Sequence, residues 1–262
     1  MNNLDSQLNN PPPPTNSGTP AAPSVSTAET LTSIFFEPGS TFEALRARPR
    51  FLIAGLIITI VVASFSFLFI QRVGYENIVR AQIEAGAPDA DTEQRDRAIE
   101  MQSRPVFKAL AYGAPVIFIP LMLALGGALY LLGMMAMGGS VNYKQALSVW
   151  TYASLPPSVL LMLGNILMLF LRASDEIDPV KDNRGLLQGN PGVLIDGVAH
   201  PVLATALSTL DIFSFYGLFL AAIGVRKVGR LSAGAAWGVV LAVWLLGVML
   251  RILLATVSGR PF

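Results

Sequence analysis

Few residues of this chain could do chemistry, and the apolar stretches around them limit what that chemistry could be. Asp211 is a carboxylate inside a long apolar run, where an ionised group is costly enough to mark a functional site by default. Arg251 is its one matching cation in the neighbouring run. Counted from the basic turn at 226–232, Asp211 lies 14 residues before Val225 and Arg251 lies 18 residues after Ala233. Those offsets are about 21 and 27 Å of helix, so an arginine could reach the acid. Three readings of Asp211 stand: a structural ion pair with Arg251, a protonatable carboxylate in a transport path, or an acid near the interface bonded to water. Against the pair, the small-residue ridge Gly234, Gly238 and Ala242 points about 140° away from Arg251 on a helix turning about 100° per residue. If that ridge packs on Gly217 and Ala221, the pair is misdirected. Arg46, Arg48 and Arg50 form the second candidate site, a basic cluster placed to meet lipid headgroups.

Catalytic inventories come up short. The chain has no cysteine and one histidine, His200, which removes disulfides, thiol catalysis and cysteine-held metals or clusters. No HExxH, GxSxG or Gly-rich Lys-Ser/Thr phosphate loop is present, and an intramembrane aspartyl enzyme would need a second convergent carboxylate beside Asp211. Asp175, Glu176, Asp178, Asp182 and Asp196 invite a calcium reading but lack the alternating oxygen ligands and terminal Glu of a calcium loop, which leaves a solvated loop. No enzyme, metal or cofactor is expected. A net charge of +1 gives no basic field for nucleic acid.

These residues are positioned by membrane helices. Of 262 residues 53% are hydrophobic and 13% charged, against roughly 25% charged in soluble domains. Crossing a bilayer core takes about 20 apolar residues of helix, and five runs qualify: 51–70, 110–137, 145–171, 202–225 and 233–257. The fold expected is an all-α, polytopic membrane bundle of five transmembrane helices. Residues 1–30, with the proline run Pro11 to Pro14, read as a disordered tail. Residues 31–50 read as an interfacial basic amphipathic element, with Ser40 and Glu43 spaced as a capping box and Pro49 ending the helix. Residues 51–257 form the membrane domain. In its first long connection, 71–108, helix spacing over 72–85 and a cap at Asp91 with Gln94 predict an extracytoplasmic helical hairpin. Ala124 and Ala128 in the second span read as a packing ridge, and Pro115, Pro120, Pro156 and Pro157 as kinks.

Five spans put the termini on opposite sides. The amino-terminal side gathers Arg46, Arg48, Arg50, Lys144, Arg226, Lys227 and Arg230 in short turns, whereas most of the eleven basic residues opposite are spread through long connections with twelve acids. Since the charge bias acts near span ends, the amino terminus is expected in the cytoplasm and the carboxyl terminus outside.

The order of these features resembles the Ypt-interacting protein (Yip) family of five-span membrane proteins, in particular its bacterial branch. The residues that carry the likeness are Phe36-Glu-Pro-Gly-Ser-Thr-Phe42 before the membrane, Gly138-Gly-Ser-Val-Asn-Tyr-Lys144 with Trp150-Thr-Tyr-Ala-Ser-Leu-Pro156, Asp211-Ile-Phe-Ser-Phe-Tyr216, and the basic turn from Gly224 to Ser232. The resemblance covers about residues 31–257. It implies a helical bundle with a cytosolic amino terminus and, for eukaryotic members, association with Rab-type GTPases and membrane traffic. The Asp-Leu-Tyr-Gly-Pro element of those members is missing here, so a Rab-type partner follows only if their role carries over. The function expected is a non-enzymatic scaffold or adaptor of a bacterial cytoplasmic membrane, binding another membrane protein, a copy of itself or membrane lipid. The alternative is a small-solute or ion transporter working as a homo-oligomer around Asp211.

Overall fold

A computed structural model gives the structure of residues 26–87, 90–182, 185–197 and 199–261. Residues 1–25 of the expected tail lie outside the described residues, and the tail's last residues are helical. Helix α1 (Thr27–Phe36) starts at a reciprocal capping box in which Ser26 and Glu29 each accept the other's backbone N–H. Helix α2 (Pro38–Ala47) follows at once, with proline in its first turn, where a helix needs no N–H donor. The expected cap at Ser40 is therefore corrected: Ser40 lies inside α2 and donates to the Glu37 carbonyl at 3.0 Å. The expected single interfacial element is a helix pair; of its apolar side chains Ile34, Phe42 and Leu45 are buried in protein, Phe35 is half-buried, and Phe36 stays 86% exposed.

Helix α3 (Leu52–Val73) is the first span, and Gly74 ends it at a φ of 90° that favours glycine. This turn splits the helix expected over 72–85. Arg72 and Val73 stay with α3, while α4 (Tyr75–Gly86) buries Ile78 and Val79. Helix α5 (Thr92–Gln102) is capped as its spacing predicts, the Asp91 carboxylate accepting the Gln94 N–H at 2.7 Å. The Tyr75 hydroxyl donates to the Gln102 carbonyl at 2.8 Å and closes the hairpin. Helices α6 (Pro105–Ala136) and α7 (Tyr143–Leu171) run through their internal prolines. The fourth apolar run, 202–225, is not one helix: α8 (Pro201–Ser208) stops, residues 209–211 break the path, and α9 (Ile212–Gly229) restarts with Asp211 as N-cap. Helix α10 (Ala233–Ser258) closes the fold, capped by Ser232. Helices α3, α6, α7, α9 and α10 are long and apolar enough to cross a membrane, and no strand occurs among the described residues. The chain is an all-α membrane protein with five such helices.

At the centre, α7 touches α3, α6 and α9. Its approach to α6 depends on absent side chains: the Trp150 ring lies over Gly126, and a Cβ on Gly127 would sit 2.8 Å from the Leu147 Cα. Tyr130 meets Trp150 edge-on with ring centroids 4.8 Å apart. The ridge that packs on α7 is thus Gly126 and Gly127, displaced from the expected Ala124 and Ala128. On α9, Gly217 faces Pro157, and Gly224 lies under Val149 and the Phe42 ring. The α10 ridge does not pack on Gly217 and Ala221. Gly234 has no neighbour within 4 Å of a Cβ, Gly238 meets only the Met137 terminal methyl at 3.7 Å, and Ala242 is exposed. Helix α10 buries Ala236, Val239 and Val240 in their place.

Candidate functional site

On the side where the chain enters α3, the α1–α2 pair lies across the ends of α7 and α9. Polar links hold it there. Gln145 donates to the Arg46 carbonyl at 2.9 Å, and Lys227 pairs with Glu43, its hydrogen bond and charge keeping the Glu43 carboxyl below the usual glutamate range. The three arginines expected at the headgroups differ in exposure. Arg48 is exposed, while Arg46 and Arg50 are half-buried. The Arg50 guanidinium turns back to α1 and donates to the Thr27 hydroxyl at 3.3 Å.

On the opposite side, Asp211 and Arg251 are not brought together: among the described residues no ion pair joins them. The Asp211 Oδ1 accepts the N–H groups of Phe213 at 2.9 Å and Ser214 at 3.2 Å, which satisfies two donors of the first turn of α9. Arg251 is exposed on α10. The physical reason is the helix break. An aspartate that starts a helix bends its carboxylate back onto its own backbone, whereas one in mid-helix would project toward a neighbour.

The connection at 172–201 is exposed over much of its length, as expected of a solvated loop, with Asp175, Glu176 and Asp196 at the surface, but its middle is not. Residues 185–189 fold back against the bundle. Asn165 of α7 is 0% exposed, donates to the Leu161 carbonyl at 2.9 Å and accepts the Leu187 N–H at 2.8 Å. Seven residues separate Asn165 from Arg172, so that contact lies about 10 Å below the end of α7. Next to it the Ile212 N–H donates to the Gly189 carbonyl at 3.3 Å, which ties the returning segment to the break before α9. Leu186 and Ile177 join Phe65, Phe69, Ile78 and Leu169 in a second core. Two of the acids, Asp178 and Asp182, serve the turn. Asp182 is buried, pairs with Arg172 at 3.5 Å and accepts the Asp178 N–H at 2.9 Å, and Asp178 caps Val180 and Lys181. Arg72 donates to the Arg172 carbonyl at 2.6 Å, joining the ends of α3 and α7. Among the described residues no group of three or more His, Cys, Asp or Glu could hold a metal ion.

Sequence reasoning missed Asn165, whose signal was a lone carboxamide in an apolar run, and the capping role of Asp211, whose signal was an N-cap residue type before an aromatic helix start.

A family model described as Yip1 domain matches residues 32–254, from α1 into α10. The chain is also similar to the protein described as "Membrane protein YknW" of Bacillus subtilis (strain 168), 26% identical over 221 residues that cover 84% of this chain and 86% of the relative. No solved structure matches significantly.

Proposed function

The chain belongs to the Yip1 domain family, and from that membership we propose that it acts as a non-enzymatic membrane scaffold or adaptor. It binds another membrane protein, or a second copy of itself, within the bilayer, and serves membrane homeostasis in a bacterial cytoplasmic membrane. Its amino terminus is cytoplasmic and its carboxyl terminus outside. The observation that carries this reading is the open ridge of α10. Gly234, Gly238 and Ala242 share one helix face, the bundle leaves that face unfilled, and small residues at this spacing let two helix backbones approach closely. The transport alternative has less support, because the Asp211 carboxylate is engaged with two backbone N–H groups.

The test is affinity purification of the full chain in nanodiscs, wild type beside Gly238→Leu and Asp211→Asn, with mass spectrometry of all retained protein and small molecules. The adaptor reading expects a near-stoichiometric membrane-protein partner or homodimer in the wild type and in Asp211→Asn, lost from Gly238→Leu. A monomer that purifies alone with a small solute, and loses that solute in Asp211→Asn, refutes it in favour of transport.

A further inference from the structure

Beside the first turn of α3 the surface opens into a recess of about 420 Å³. Thr27, Arg50 and Tyr152 supply its polar lining, and Phe51, Leu52 and Ile53 its apolar one. We propose that this recess binds the phosphate headgroup of an anionic phospholipid.

Three features converge on an anion. Helix α3 has Phe51 at its N-cap and no side chain capping its first turn, so the positive end of a long helix dipole opens toward the recess. Arg50 brings a guanidinium whose planar donors suit phosphate oxygens, steadied by Thr27. Tyr152 is the independent observation. It is 1% exposed, it lines the recess, and its hydroxyl makes no hydrogen bond to any described residue. The side chain is held in place by the fold while its hydroxyl opens onto the recess, where a phosphate oxygen can accept its proton in a hydrogen bond. No carboxylate lines the recess, and the acids of the two helices above it are engaged: Glu29 with the Ser26 N–H, Glu37 with the Ser40 hydroxyl, and Glu43 with Lys227.

The apolar lining selects a lipid over a free phosphate. Leu52 is 75% exposed and Ile53 49% exposed on the opening turn of a membrane span, so an acyl chain leaving the recess continues along α3. The chain's own residues 1–25 are a poor occupant, since Asp5 is their one charged side chain. The site is independent of the α10 ridge and can be filled whether or not a protein docks there.

The test is native mass spectrometry of the delipidated full chain offered equal amounts of phosphatidylglycerol and phosphatidylcholine. One phosphatidylglycerol adduct is expected in preference to phosphatidylcholine. Each of Arg50→Gln and Tyr152→Phe weakens it about tenfold, the value of one charge-assisted hydrogen bond; the exposed Arg48→Gln does not. Because the Tyr152 hydroxyl has no partner in the fold, Tyr152→Phe keeps the wild-type melting temperature in neutral lipid, which separates lost binding from lost folding. Equal adducts of the two lipids, or a phosphatidylglycerol adduct undiminished in both variants, overturns the proposal. Displacement of the lipid by millimolar glycerol phosphate assigns the recess to a soluble phosphate, and binding seen only after residues 1–25 are removed assigns it to the tail. Either result also overturns it.

Discussion

Replacing Asn165 with leucine, a side chain of nearly the same shape, should release the segment that folds back into the bundle while leaving the five long helices in place. The structure supplies the terms of the estimate. Asn165 gives two hydrogen bonds, and the one to the Leu161 carbonyl duplicates a helix bond that carbonyl already makes. The other, from the Leu187 N–H at 2.8 Å, is the one bond that amide makes among the described residues. Removing its acceptor strands the donor beside the second core, at a cost of about 1–3 kcal/mol. That energy falls on the local opening of residues 185–190, whose amide exchange should accelerate roughly fivefold to a hundredfold at about 1.4 kcal/mol per decade. Hydrogen–deuterium exchange of the full chain in nanodiscs reads this directly, with peptides from the α6–α7 contact as the internal standard. Unchanged exchange at 185–190 in Asn165→Leu would refute the reasoning, since the segment would then be held by something other than this amide. Equal acceleration at the α6–α7 contact would refute it too, by showing that the whole bundle had loosened.

Gly127→Ala should lower stability by about 1–3 kcal/mol, because the clashing atom is backbone and cannot rotate away; Gly234→Ala, facing open space, should stay within about 0.5 kcal/mol. Melting temperatures in one detergent compare the two directly. Asp211→Ala should cost about 1 kcal/mol as a lost N-cap, and Asp211→Asn much less. Combined with Arg251→Ala, Asp211→Ala should add within about 0.5 kcal/mol, and a larger coupling energy would restore the ion pair that the structure lacks.

The parts of the fold legible in the sequence are those whose cause is local. A helix must carry about 20 apolar residues to cross a bilayer, so the five long helices announce themselves by run length, and Asp91 announces its cap by residue type and spacing. The break before α9 carried a local signal that hydropathy masked: Asp211 is a good N-cap, but the apolar residues on both sides read as one continuous span. Contacts set by distant partners were illegible. Nothing near Leu187 states that its amide will meet Asn165 22 residues earlier in the chain, and nothing near Arg50 states that Tyr152 will line the same recess. The apolar side of residues 31–50 was visible, yet apolarity alone does not distinguish a lipid surface from the underside of a protein bundle.

The α1–α2 pair also constrains how the protein is made. It leaves the ribosome well before the surfaces that house it: Phe42 rests on Gly224, and Glu43 meets Lys227 184 residues later. Throughout synthesis, until α9 is in place, Ile34, Phe42 and Leu45 have no completed niche to enter. The hairpin therefore acts as a late latch on the finished chain. A nascent or truncated product lacking α9 carries an exposed apolar α1–α2 pair, the kind of surface that chaperones and membrane proteases recognise.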